Sequence, residues 1–202
     1  MADLLFAVGV FIAAHLIPSV KPVRAALVRA IGERLYLSAY SAVSIGIIVW
    51  MGLAYAAAPH EELWPTADWM RWLAVAVMAP ACVLTVAGIT TPNPFSLGWG
   101  VKGFDSAKPG IVGVTRHPVI WGLGLWSGIH VLANGDLASL ILFGLLSVLG
   151  LTGPKSLENK RRSALGADAF AHMQFEIAGT PIAAARAPAG IRRIIGGLPL
   201  WA

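Results

Sequence analysis

The chain has 202 residues, 57% hydrophobic and 12% charged, with a net charge of +5 and a mean hydropathy of +0.72. Soluble domains carry about 45–50% apolar and about 25% charged residues, so the balance argues against a free soluble enzyme and a disordered chain. A single Cys leaves no disulfide scaffold to read. The expected fold class is all-α, a polytopic transmembrane helix bundle with a short cytoplasmic amphipathic tail.

A helix needs about 20 apolar residues to cross a bilayer. Charge-free runs predict about five spans, at residues 4–20, 37–58, 69–89, 118–132 and 137–151. Thr91-Pro92-Asn93-Pro94 stops the third, because proline cannot continue the hydrogen-bond ladder. Asn134-Gly135-Asp136 is a tight-turn signal between the last two. Those two helices reach only about 22 Å, so four spans plus a re-entrant hairpin is the alternative count. Residues 1–153 then form the transmembrane bundle and residues 154–202 the tail. Within the tail, Leu157, Leu165, Ala169 and Met173 recur at helical spacing over residues 156–174. Ile191-Arg192-Arg193-Ile194-Ile195 with Trp201 has an interfacial composition. Most of the eight Trp residues fall near predicted helix ends, as an aromatic belt requires.

Charge sets the expected orientation. With five spans, every Lys and Arg except Arg71 falls on one side, and that side is cytoplasmic by the positive-inside rule. The N-terminus is then outside and the tail cytoplasmic, in an inner membrane. Asp3, not Lys or Arg, precedes the first apolar run, which is not the pattern of a secretory signal. The positive charge is assigned to loops and not to nucleic acid.

Ionisable residues inside apolar segments are the candidate functional residues. His15 lies near the inner end of the first helix and His117 opens the fourth, so the two can share a depth. Two imidazoles facing each other across a bundle suit haem or a metal ion. His130 lies about 20 Å further along the fourth helix and cannot join His117 on one ion while that helix is straight. The alternative for each is an imidazole bonded to a carbonyl at a helix contact. His60 is read as solvated, His172 as a surface residue, and Cys82 as a small apolar filler.

Thr115-Arg116-His117-Pro118 is the sharpest local motif, with Thr115 as cap and Pro118 in the first turn. Arg116 there is placed to clamp a carboxylate or phosphate, and Arg116 with His117 is the candidate catalytic pair. Glu158 reads as a solvated helix residue or as a partner holding a cofactor near Arg116. Gly124 and Gly128 form a small-xxx-small pair suited to close helix packing.

The motif does not stand alone. Trp121-Gly122, His130, Ala133-Asn134-Gly135-Asp136 and Leu142-Phe143-Gly144 follow it at a spacing that resembles NnrU-type membrane proteins. His15, Arg24, Ile31-Gly32-Glu33-Arg34, Tyr40-Ser41, Ala54-Tyr55 and Leu63-Trp64 extend the likeness over residues 1–160. The resemblance implies a role supporting denitrification, in nitrite and nitric oxide reduction, alongside maturation components of those reductases. It also implies kinship to 15-cis-zeta-carotene isomerase, and through it haem b, isomerase-like redox chemistry and an apolar small-molecule substrate. On that basis His15 and His117 are the leading haem ligands, with His130 in reserve.

A second, wider likeness is to isoprenylcysteine carboxyl methyltransferases, which bind S-adenosylmethionine at the cytoplasmic face. Arg116-His117-Pro118, Glu158 and Leu165-Gly166 carry it. The chain departs from that pattern in having Asn159 after Glu158 where a second acid is expected. A non-catalytic membrane assembly factor is the third alternative.

Overall fold

A computed structural model of the chain describes residues 1–96 and 102–177, with side chains described to residue 172 apart from Ser19. Seven α-helices occur among them: α1 (Ala2–Leu16), α2 (Lys21–Ile31), α3 (Glu33–Ala56), α4 (Asp68–Thr90), α5 (Pro118–Asn134), α6 (Leu137–Leu165) and α7 (Ala167–Ile177). Extended pairing among the described residues is confined to one antiparallel bridge, Glu62 with Asp136.

The all-α polytopic expectation is met. Among the described residues α3, α4 and α6 are long and apolar enough to cross a membrane. The pair α1 and α2 makes a fourth span if its bent halves are counted together. The 15 residues of α1 and 17 of α5 fall short of the usual length alone. Large apolar side chains cover outward surfaces, among them Phe6, Ile45, Leu53, Trp72 and Leu151. Water would penalise those surfaces and acyl chains would not, so these helices fit an integral membrane protein.

Two boundaries differ from expectation. The first helix ends at Leu16, passes through a 3-10 turn at Ile17–Ser19, and is followed by the separate helix α2. Pro18 and Pro22 lie at the two junctions, each at a first-turn position where a missing N–H costs nothing. Further on, α6 does not stop at 151. It runs on to Leu165 despite Pro154, so the expected division at 153/154 falls inside one helix. The break comes instead at Gly166, whose φ of 88° favours glycine, and α7 begins after it. The interfacial motif at residues 191–195, Trp99 and Trp201 lie outside the described residues.

The chain divides into two compact units, Met1–Pro65 with Asn134–Leu142, and Thr66–Ala133 with Phe143–Ala202. In the first, α1 lies antiparallel along α3. Asp3 accepts a hydrogen bond from Trp50 Nε1 at 3.3 Å, Phe6 meets Trp50 edge-on, and His15 meets Tyr40 at the other end. Leu4, Ala7, Val8 and Phe11 form the buried stripe of α1, at the i, i+3, i+4, i+7 spacing of one helical face.

In the second unit, small residues let helices cross closely. A Cβ on Gly150 of α6 would sit 2.6 Å from Gly124 Cα of α5, and one on Gly88 of α4 would sit 2.8 Å from Pro118 Cγ. One on Gly122 would strike Thr85 and the Ala81 carbonyl. The expected small-residue stripe on α5 is therefore a packing surface, with Gly124 against Gly150 as its tight point and Gly128 in ordinary contact with Ser147. These crossings bring the start of α5 beside the end of α4, which sets up the site.

Candidate functional site

The site is assembled where α4 breaks. Thr91-Pro92-Asn93-Pro94 ends the helix as expected, and Asn93 then turns inward and is fully buried. Its Oδ1 accepts from the backbone N–H of Phe95 at 2.8 Å and of Ser96 at 3.2 Å. Its Nδ2 donates to the Arg116 carbonyl at 3.0 Å. A buried amide is tolerable only when its donors and acceptors are used, and here they tie the segment after α4 to the start of α5. Below lies an apolar cluster of Ala87, Phe95, Ile111, Val112 and Phe170, to which the 3-10 turn Gly110–Gly113 contributes two members.

Arg116, His117 and Glu158 meet above that cluster. Arg116 Nε and Nη2 both donate to Glu158 Oε1, at 2.9 and 2.8 Å. His117 Nε2 lies 3.3 Å from the same oxygen. The guanidinium carbon stands 6.0 Å over the Phe95 ring, at the outer limit of cation–π range. The Thr115 hydroxyl accepts from His117 N–H, and the His117 carbonyl accepts the first α5 bond, from Trp121 N–H. A carboxylate is acceptor-only when ionised, so the bond to Glu158 places a proton on His117 Nε2 and leaves a lone pair on Nδ1. That Nδ1 is buried without a partner. Burial pushes the His117 pKa below its ordinary value; Glu158 opposes the shift and Arg116 assists it.

A free anion clamp at Arg116 is thus not what forms. An internal carboxylate occupies it, supplied by the helix turn that read as solvated. The pairing is not sealed: the Arg116 and Glu158 side chains keep 37% and 27% of their exposure, against 5% for His117. Glu158 also lines an open cavity of about 330 Å3, together with Asn159, Arg162, Ala167, Phe170 and Ala171. The lining carries one carboxylate, one further guanidinium, an amide and an aromatic ring.

The other sequence candidates lie elsewhere. His15 belongs to the first unit. Its Nδ1 donates to the Phe11 carbonyl at 2.8 Å, and its ring packs on Phe11. His130 Nδ1 likewise donates to the Trp126 carbonyl at 2.7 Å, with its ring between Trp126 and Phe143. Each bond lies within the residue's own helix, four residues back, and fixes which ring nitrogen carries the proton. His60 and His172 are exposed, and Cys82 is exposed beside an apolar groove lined in part by Met78, Val86, Leu123 and Trp126. Among the described residues no three His, Cys, Asp or Glu side chains gather as a metal site.

A second polar cluster escaped the sequence reading. Asp136 caps α6, accepting from Ser139 N–H at 2.9 Å and Ser139 Oγ at 2.6 Å. Ser139 Oγ lies 2.8 Å from Tyr55 Oη and accepts from Asn134 Nδ2 at 3.0 Å. Burial pushes the Asp136 carboxyl up, but the two Ser139 bonds, with help from His60, hold it below the ordinary range. The D-x-x-S spacing of a helix cap was its available signal.

The NnrU protein family model matches residues 3–202. The chain belongs to the NnrU family. No curated protein and no solved structure matches it.

The sequence likenesses imply two cofactors, haem b through the NnrU type and S-adenosylmethionine through the methyltransferases. An axial imidazole must turn a ring nitrogen toward the porphyrin; His117 spends Nε2 on Glu158 and buries Nδ1, while His15 and His130 each donate Nδ1 to a carbonyl. S-adenosylmethionine fits the charged cavity. Its amino-acid end is a zwitterion, and the NnrU cavity presents Arg162 for the carboxylate, Glu158 for the ammonium or sulfonium, and Phe170 beside them.

Proposed function

We propose that this NnrU protein supports nitrite and nitric oxide reduction from the inner membrane by binding a small zwitterionic cofactor, S-adenosylmethionine, at the Arg116–His117–Glu158 cluster. When bound, that cofactor supplies an electrophilic methyl group for transfer. Arg116 and His117 hold Glu158 ionised and aimed, and Glu158 and Arg162 orient the two charges of the ligand. The basic loops of the sequence support a site at the cytoplasmic face.

One observation carries the proposal. A single carboxylate oxygen gathers both Arg116 nitrogens and His117 while the same residue lines a charged cavity. Titration of S-adenosylmethionine into the full-length protein in nanodiscs tests it. Saturable binding is expected, weakened about tenfold or more in Glu158→Gln, the scale of one charge-assisted hydrogen bond. No saturable binding overturns the proposal. So does a visible haem band that disappears in His15→Ala and His117→Ala.

A further inference from the structure

Residues 21–34 carry Lys21, Arg24, Arg29 and Arg34, and residues 21–31 form α2, a helix with no buried residue. At 3.6 residues per turn its side chains separate in large part, with Arg24 and Val28 at about 300° and 340° between the two faces. Val23, Leu27 and Ile31 fall at about 200°, 240° and 280°, while Lys21, Ala25 and Arg29 fall at about 0°, 40° and 80°. Leu27 and Ile31 remain 42% and 44% exposed. An apolar face opposite a basic one is the pattern of a helix lying in a membrane interface.

Its placement agrees. α1 pairs antiparallel with α3, a helix long enough to span, and α2 departs from α1 at 82°. A helix at that angle to its spanning neighbours runs along the bilayer plane. It is pinned there from one side. Arg24 bonds Glu33 at 3.4 Å and stands 5.9 Å over the Tyr36 ring. Glu33 is the acidic group facing α2, and Arg24 occupies it. Among the described residues no carboxylate pairs with Lys21 or Arg29, and Arg29 donates to the Ala25 carbonyl of its own turn. Arg34 adds a third exposed cation just beyond Gly32.

We propose that α2 is an interfacial helix that seats Val23, Leu27 and Ile31 among the acyl chains of one leaflet and holds anionic lipid headgroups with Lys21 and Arg29. Two opposed properties require this occupant. Acyl chains satisfy the apolar face, and phosphate-bearing headgroups satisfy cations that have no carboxylate partner among the described residues. The proposal is independent of the Arg116 site and uses none of its residues.

The experiment uses the full-length protein in nanodiscs on a Cys82→Ala background, with a fluorophore on Leu27→Cys or Ala25→Cys. Lipid-borne doxyl groups are expected to quench the label at 27, and aqueous iodide the label at 25. Iodide quenching at both positions overturns the proposal in favour of a solvated helix. Quenching of the position-27 label by neither reagent overturns it in favour of a protein partner. Preference for spin-labelled phosphatidylglycerol over phosphatidylcholine is then measured. It is expected to fall about fivefold per basic residue removed in Lys21→Gln/Arg29→Gln, and to persist in Lys21→Arg. An unchanged preference in the double Gln variant removes the headgroup contact.

Discussion

Arg116 and Lys differ here in geometry and not in charge. Two nitrogens of one planar group converge on Glu158 Oε1, and an ammonium on a flexible stem cannot reproduce both bonds. On the proposed role in nitrite reduction, Arg116→Lys is expected to abolish restoration of nitrite-dependent growth in a deletion strain. Its cost in stability should stay within about 1 kcal/mol, the scale of a partly exposed pair, so membrane levels of the protein should match wild type. Parallel loss of protein and growth would count against a functional Arg116. His117 carries a second prediction through its depressed pKa. The folded chain keeps the ring neutral, while the unfolded chain protonates near 6.5. Stability is thus fully present above pH 6.5 and declines as the pH falls toward the lower folded value. Denaturation in mixed detergent should show that decline in wild type, and His117→Gln should flatten it. Much of this site was legible from Thr115-Arg116-His117-Pro118, but Glu158 was not, because a separation of 42 residues says nothing of contact until α5 and α6 are packed. Asn93 was visible only as part of a helix stop. Its amide does a second task that the motif does not announce, holding the Arg116 carbonyl.

Helices that cross a bilayer gain little from excluding one another's apolar side chains from lipid, so close packing of small residues carries their association. Gly150 and Gly128 separate this effect from a generic intolerance of substitution. A methyl group at Gly150 meets backbone, at 2.6 Å from Gly124 Cα, and backbone can yield only by moving α5 from α6. At Gly128 the nearest atom is Ser147 Oγ, at 3.8 Å. Gly150→Ala should lower resistance to dodecyl sulfate unfolding by about 1–3 kcal/mol, as overpacking does, and Gly128→Ala should leave it nearly unchanged. Gly124→Leu should match or exceed Gly150→Ala. Equal behaviour of the two alanine variants would mean the helices separate without cost. Three of the five expected spans, α3, α4 and α6, were readable because a long apolar run has few other uses, while α1 and α5 are too short to count alone. Two other features were not readable. The charges of α2 resemble those of a loop when only span hydropathy is sought. The polar end of α6 looks like a terminus, although the helix continues through Pro154 and carries Glu158 to Arg116 one turn beyond it.

At the scale of the whole chain, the division into two compact units follows neither a linker nor a change of composition, which is why a boundary at 153/154 was the natural expectation and the observed one was not. The first unit recruits residues 134–142 by backbone pairing: Leu63 N–H and Trp64 N–H donate to the Gly135 carbonyl, and Leu137 N–H donates to the Glu61 carbonyl. Gly135 is required there, since its φ of 70° favours glycine and a Cβ would strike the Trp64 carbonyl. Asp136 holds the other side of this strap by capping α6, with the Tyr55, Asn134 and Ser139 side chains linked behind it. Asp136→Ala removes the cap and strands the Ser139 N–H and hydroxyl, a loss of about 1–2 kcal/mol on the scale of helix caps. The expected signature is regional. Amide exchange should quicken at residues 61–64 and 137–140, while residues 116–121 keep their protection. Because the Asp136 pKa is depressed, the same strap should hold above the ordinary value of 3.8 and loosen as the pH falls toward the lower folded value. Exchange that quickens evenly along the chain in Asp136→Ala, or an acid response identical in variant and wild type, would show that residues 134–142 are anchored by packing alone.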